Sequence, residues 1–197
     1  MTPFSIDHPL KAFDITKDED IWIFAYGSLM WNPEFDYEEA HIAQACGYHR
    51  RFCLKCDYYR GSPENQGLVL GLDRGGSCRG IAYKVSEKNM RKTLETLWKR
   101  EMRAPDAYVA KKIPVALSGT TKERVMACVF VSNPNSTYYF SERCPSKTAA
   151  RIASAKGVRG SNLEYLERTV YQLQKNSIKD TALEKLYAHV QSGKYLT

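Results

Sequence analysis

Ile21-Trp22-Ile23-Phe24-Ala25-Tyr26-Gly27-Ser28-Leu29-Met30-Trp31 breaks from a bulky, uncharged run into a small polar turn. Ile21 to Ala25 is aromatic and β-branched and too short for a buried helix, so it predicts a central strand covered on both faces. Gly27 ends it. A Gly-Ser pair at the end of a buried strand lets the backbone turn sharply and leaves amide N–H groups aimed at whatever lies in front, which suits a carboxylate or a developing oxyanion. On these residues alone, an ordinary strand-ending turn explains the pattern as well.

Downstream, strand signals cover His41–Cys46 and Arg50–Lys55, separated by Gly47. Before them, Trp31 to Glu39 reads as a loop whose acidic piece, Glu34 to Glu39, is either a solvated face or a weak cation site. Asp57 to Gly67 is a long polar loop, a length that is often functional, and Tyr58-Tyr59-Arg60 within it has the composition of a rim for an anionic ligand. Leu68–Leu72 and Cys78–Val85 follow as strands, with Asp73-Arg74-Gly75-Gly76 expected as a hairpin-type turn. Tyr108–Leu117 and Arg124–Ser132 form a further strand pair around the polar segment Ser118 to Lys122.

The period changes at Ser86, a predicted N-cap for a helix from Glu87 to about Met102 that Pro105 stops. Met90, Leu94 and Leu97 lie along one stripe, and Glu101, seven residues after Leu94, closes it with a carboxylate. Either Glu101 pairs with Lys99, Arg100 or Arg103 at the surface, or it is desolvated, with a raised pKa and the capacity to shuttle a proton near neutral pH. Three more helices are expected: Ser146 to about Lys156, one after the capping-box spacing Ser161-Asn162-Leu163-Glu164 running to about Lys175, and one from Thr181 ending at Gly193. Strands, one helix, more strands and a helical tail together predict an α+β domain with a small curved or barrel-like mixed sheet flanked by helices. At 197 residues the chain suffices for one domain, read as residues 21–197 behind an N-terminal extension of residues 1–20.

Composition narrows the function classes. The chain is 43% hydrophobic and 26% charged, ordinary for a soluble protein, with thirteen Tyr and a net charge of +7. Its basic residues are scattered and match no nucleic-acid module, so the excess is read as a field that favours an acidic metabolite rather than nucleic acid. No secretory signal or membrane-length apolar run is visible, which predicts a soluble cytoplasmic protein. The six cysteines read mostly as small hydrophobes in strands, and the lone Cys53-Leu54-Lys55-Cys56 lacks the second ligand pair that zinc requires. Ser28 lies outside any G-x-S-x-G, and no P-loop is present.

Tyr26-Gly27-Ser28-Leu29 after a buried strand, Arg60-Gly61-Ser62-Pro63 in the long loop, Leu97-Trp98-Lys99-Arg100-Glu101-Met102 ending the helix, Tyr108, and Gly160-Ser161-Asn162-Leu163-Glu164-Tyr165-Leu166 together resemble the ChaC-type γ-glutamylcyclotransferases, in the family's order and at similar spacing, over roughly Ile21 to Leu173. The resemblance implies that Glu101 is the catalytic acid/base. It also implies that Tyr26, Gly27, Ser28 and Leu29 cradle a γ-glutamyl group, with Tyr108 and Tyr165 lining the same pocket; Arg60 and Asn162 match the family's substrate-binding positions less directly. The implied reaction is cleavage of glutathione to 5-oxoproline and cysteinylglycine, with no cofactor or metal and with a small molecule as the only required partner. Other γ-glutamyl amino acids or amines, or a non-catalytic module associated with cation transport, are the alternatives. The oligomeric state is not set by these residues.

Overall fold

The computed structural model describes residues 7–104, 106–119 and 123–195. A short helix α1 (Asp7–Ala12) precedes strand β1 (Ile21–Ala25), a single 3-10 turn (Ser28–Met30) and two long strands, β2 (Glu39–Cys56) and β3 (Gly67–Val85). Helix α2 (Glu87–Glu101), strands β4 (Tyr108–Leu117) and β5 (Arg124–Ser132), helix α3 (Pro145–Ser154), a small β6–β7 hairpin (Lys156–Gly157 with Gly160–Ser161) and helices α4 (Asn162–Lys175) and α5 (Thr181–Ser192) complete the chain.

The five long strands close into a barrel in the order β1-β3-β2-β4-β5. β1 is central, as its apolar run requires: it pairs antiparallel with β3 along its whole length, from Ile21 opposite Val85 to Ala25 opposite Ile81, and closes the barrel by a parallel pairing of Trp22 and Ile23 with Ala127 and Cys128 of β5. The sheet is therefore mixed and barrel-like, and the α+β expectation stands.

Two local expectations are corrected. Asp73 to Gly76 is no hairpin, and Gly47 separates no two strands. β2 and β3 each run unbroken and pair with one another from Glu39 opposite Lys84 to Cys56 opposite Gly67. Gly47 sits at a register shift between Cys46 and Tyr48, facing Gly75 and Gly76, and all three have positive φ (82°, 97° and 70°). Glycines in the left-handed region absorb an extra residue as a bulge, which bends the ribbon without ending it. The turn-like composition marked a curvature point.

The barrel opens on one side. β2 and β4 pair only through Ala43–Ala45 and Val115–Leu117 and then part. The far end of β2 is met instead by residues 138–140, through Lys55 N–H to Tyr138 O at 2.8 Å and Phe140 N–H to Cys53 O at 2.8 Å. The cleft described below lies where β2 and β4 diverge.

Helix α2 packs on this barrel by the expected stripe, with Met90, Leu94 and Leu97 fully buried. Its N-terminus differs in detail from the Ser86 cap: Glu87 N–H donates to Asp20 Oδ1 at 2.9 Å, while Ser86 Oγ makes no cap bond. Pro105 lies outside the described residues, as do residues 120–122 of the β4–β5 connection, and the helix ends with Met102 N–H donating to Trp98 O. Within the predicted N-terminal extension, Phe13 and Ile15 enter the core, and the Phe13 ring meets Phe130 edge-on at 5.3 Å.

The C-terminal helices are fixed by two buried polar clamps. Asn162, at the start of α4, donates from Nδ2 to Leu68 O at 2.7 Å and accepts from Leu68 N–H at 2.6 Å, so it substitutes for a strand on β3. Ser161 caps the same helix by accepting from Glu164 N–H at 3.0 Å, as its spacing predicts. The cap of α5 is Asp180 rather than Thr181, accepting from Leu183 N–H at 3.2 Å. Asp180 also pairs at 2.6 Å with Arg50, whose side chain is 1% exposed and whose remaining N–H groups reach Tyr26 O and Arg79 O. That guanidinium thus ties α5 to the carbonyl immediately before Gly27.

Candidate active site

The Tyr26–Leu29 turn leaves β1 at the mouth of the barrel. Its 3-10 hydrogen bonds begin at Met30 N–H to Gly27 O and Trp31 N–H to Ser28 O. The N–H groups of Ser28 and Leu29 therefore precede the first internal bond of the turn, the position at which helical N–H groups have no intrahelical acceptor. Gly27 stands against Tyr165 of α4: a Cβ added there would lie 3.2 Å from Tyr165 Oη.

An inner cavity of about 30 Å³ is lined by Tyr26, Gly27, Ser28, Leu29, Glu101, Tyr108 and Tyr165, with an apolar floor that includes Leu70 and Phe130. It adjoins a cleft of about 780 Å³ that shares Ser28, Glu101, Tyr108 and Tyr165 with it and extends to Arg60, Arg100, Arg103, Arg159 and Arg168. Of the two readings of Glu101, the structure selects a combination. Its side chain is 16% exposed and faces the cavity, yet it also has an arginine partner, Arg100, whose Nε lies 3.3 Å from Glu101 Oε1. Burial raises the Glu101 pKa above the ordinary carboxylate value; Arg100 opposes that, Glu34 reinforces it, and Arg159 opposes it. The carboxyl is thereby moved toward neutral pH without losing its charged partner.

The sequence offers Arg100 only as one of three possible surface partners for Glu101. It donates from Nη1 to Asn32 O at 2.8 Å and from Nη2 to Ser28 Oγ at 2.8 Å, and Nη1 lies 3.0 Å from Glu34 Oε2. An arginine three residues after Leu97, on the flank of the apolar stripe, is the signal the sequence carries. The same spacing that places Glu101 on the cavity side puts Arg100 between helix and turn.

The three tyrosines differ in their bonding. Tyr26 O–H donates to Phe130 O at 2.7 Å and Tyr108 O–H donates to Leu70 O at 2.9 Å. Both phenols have committed their proton, so what they offer elsewhere is lone-pair density. Burial, with Glu101 nearby, holds both pKa values well above the ordinary tyrosine value. Tyr165 is raised as well, chiefly by burial, with the Leu70 backbone N–H opposing, and its ring is held edge-on by Trp31 at 5.6 Å and Phe52 at 5.8 Å.

Two predicted substrate contacts are placed differently. Arg60 lies in the wall of the outer cleft, but its Nη1 is occupied by Ser161 O at 3.1 Å and Glu164 Oε2 at 3.3 Å, and its guanidinium stacks over the Tyr165 ring at 5.5 Å. Asn162 lines neither cavity: it is fully buried and both of its polar atoms are taken by Leu68. It anchors the start of α4 on β3. Among the described residues, no group of three or more His, Cys, Asp or Glu side chains is arranged to hold a metal ion, and Cys53 and Cys56 are buried thiols within β2. Among the described residues, no helix is long and apolar enough to cross a membrane.

The profile of the ChaC-like protein family matches residues 21–193. That match runs through α5, beyond the Leu173 limit of the motif resemblance. The glutathione-specific γ-glutamylcyclotransferase of Escherichia coli (strain K12) is 36% identical over 171 residues, covering 86% of this chain and 72% of that protein. The human glutathione-specific γ-glutamylcyclotransferase 1 is 33% identical over 173 residues, covering 85% and 78%. Among solved structures, a yeast γ-glutamyl cyclotransferase specific to glutathione superposes with a TM-score of 0.82 at 21% identity, over 88% of this chain and 96% of that one, a likeness of fold.

Proposed function

The chain belongs to the ChaC-like family, and on that premise we propose that it is a glutathione-specific γ-glutamylcyclotransferase with Glu101 as its acid/base. The observation that carries this reading is the shared inner cavity: the carboxylate that ends α2 and the Gly-Ser turn after β1, more than seventy residues apart in sequence, line the same small space. The relatives with this sequence pattern carry the name of that activity.

The chemistry asks little of a protein beyond placement. A γ-glutamyl compound holds its own nucleophile, the α-amine, and its own electrophile, the γ-carbonyl. Curling the chain converts their encounter into a ring closure with a high effective concentration. Glu101, deprotonated, takes a proton from the α-ammonium. The freed amine nitrogen bonds to the γ-carbon, forming a tetrahedral centre with negative charge on its oxygen. Glu101 then gives that proton to the amide nitrogen, the C–N bond breaks, and the ring nitrogen passes its remaining extra proton through the restored carboxylate to the departing amine, so that 5-oxoproline and cysteinylglycine leave with Glu101 deprotonated again. A carboxyl with a raised pKa serves both transfers better than an ordinary one, because it is closer in proton affinity to the groups it exchanges with.

The rest of the cavity supplies complementary charge. N–H groups of Ser28 and Leu29 suit the α-carboxylate or the transient oxyanion. The lone pairs of Tyr26 and Tyr108 suit the α-ammonium before it is deprotonated. With every heavy atom of the reaction supplied by substrate and one carboxylate, neither a metal nor an organic cofactor has a step to perform. A binding or transport-regulating module would not need a desolvated carboxyl against the turn, and cyclisation of other γ-glutamyl amino acids is the remaining competitor.

Incubating the protein with glutathione and with γ-glutamyl-alanine, and following 5-oxoproline by chromatography, tests the reading. Release from glutathione by wild type, and its loss in a folded Glu101→Gln variant, is the expected result. Equal release by both proteins would remove Glu101 from the mechanism. No release from either compound would remove the activity.

A further inference from the structure

We infer that the outer cleft holds a subsite for the terminal carboxylate of the peptide substrate, formed by Arg103 stacked on Tyr58 and Arg159 stacked on Tyr59; this rests on the cyclotransferase reading above. The Arg103 guanidinium lies 3.5 Å from the centre of the Tyr58 ring and 5.8 Å from that of Tyr59, and the Arg159 guanidinium lies 4.4 Å from that of Tyr59. All four residues line the cleft of about 780 Å³ that adjoins the inner cavity.

Among the arginines of that cleft, the charges are unevenly committed. Arg100 is held by Glu34 and Glu101, Arg60 by Glu164, and Arg168 by Glu164 at 2.7 Å. Arg159 has a long contact, 3.7 Å, with Glu34. Arg103, among the described residues, has aromatic faces in place of a carboxylate partner. A guanidinium lying on a ring keeps its N–H edge turned outward and loses little freedom when a carboxylate arrives, so it is prepared for a two-point contact.

The platform under these arginines is fixed by the backbone. Val158 N–H donates to Tyr58 O at 2.9 Å and Arg159 N–H donates to Tyr59 O at 3.0 Å, joining the β6–β7 hairpin to the long loop. Gly157 makes that approach possible, since a Cβ there would sit 2.3 Å from Tyr58 O. The sequence marks Tyr58-Tyr59-Arg60 of that loop as a rim for an anionic ligand, and the structure adds a partner segment to it.

Direction follows from the two spaces. With the γ-glutamyl end in the inner cavity and the scissile amide at Glu101, the leaving peptide extends into the outer cleft. Its terminal carboxylate then travels toward the arginine pair. A dipeptide places that carboxylate one residue short, and a γ-glutamyl amine has none. The subsite therefore favours a tripeptide acid over either.

The test compares kcat/KM for glutathione with that for its C-terminal glycinamide, which differs at the carboxylate alone, in wild type, Arg103→Met, Arg159→Met and the double variant. Wild type is expected to prefer the acid by about tenfold, as a charge-assisted pair at a partly exposed site allows. The preference should shrink in each single variant and approach one in the double variant, chiefly through KM. Equal use of acid and amide by wild type, which needs no variant at all, would overturn the subsite while leaving the cyclotransferase reading intact, and so would a double variant that keeps the wild-type preference. Absence of 5-oxoproline from wild type with both compounds would instead take down the underlying activity together with the subsite.

Discussion

Arg100 donates from Nη2 to Ser28 Oγ at 2.8 Å, fastening the last turn of the long helix to the turn that leaves the first strand. With Nε 3.3 Å from Glu101 Oε1 and Nη1 bound to Asn32 O, the same guanidinium lies against the carboxyl and favours its charged form, in opposition to burial. Two groups distant in sequence are thus held together by a third that touches each of them.

Replacing Arg100 by Met removes a positive charge that pulls the Glu101 pKa down against burial. The pKa should rise further, and the acid limb of the pH–rate profile, which reports loss of the deprotonated base, should move to higher pH. Turnover at pH 7 falls and part of it returns on raising the pH. Arg100→Lys keeps a charge but not the three-way contact, so its limb should stay nearer that of wild type while turnover still drops.

Glu101→Gln should reduce turnover by roughly 10²- to 10⁴-fold, the usual worth of a positioned acid/base. Stability should move the other way. Because the folded-state pKa of Glu101 is raised, the stability associated with its protonated form is intact below the unfolded pKa and is lost as pH rises through the folded pKa. Gln has no such loss. Melting curves across pH should show the variant gaining on wild type as pH increases.

Gly27→Ala tests the inner cavity by volume. The new Cβ meets Tyr165 Oη at 3.2 Å in a space of about 30 Å³. Melting temperature should change by an amount typical of a mild substitution, within about 1 kcal/mol of stability, while kcat/KM falls at least about tenfold because the substrate's curled end no longer seats.

Asn162→Ala should act on stability. It leaves Leu68 N–H and C=O buried without partners, a cost of roughly 2–4 kcal/mol, read as a drop of about 10 °C in Tm. KM for the folded protein should stay close to wild type, since Asn162 lines neither cavity. A large rise in KM with unchanged Tm would return Asn162 to the substrate-binding set.

Asp180→Ala leaves the Arg50 guanidinium, 1% exposed, without its charged partner, and removes the α5 cap as well. A destabilisation of about 3 kcal/mol is expected from chemical denaturation. Arg50→Met in the same background should recover part of it, because the buried charge is then gone.

Local chemistry made much of this protein legible in its sequence. Alternation and length fixed the strands, the 3.6-residue period with its caps fixed the helices, and an acid closing an apolar stripe at Glu101 marked the candidate site; the family likeness then gave that carboxylate a task. Glycines misled where composition is ambiguous, for Gly47, Gly75 and Gly76 serve a bend inside continuous strands as readily as a turn between two. What folding alone decided was adjacency: that Glu101 faces the Gly27–Ser28 turn, that Asn162 holds Leu68, and that Arg103 and Arg159 share the tyrosines of one loop. Such contacts join residues tens of positions apart, and no periodicity encodes them, because they arise from how a closed barrel and the helices packed on it bring their ends together.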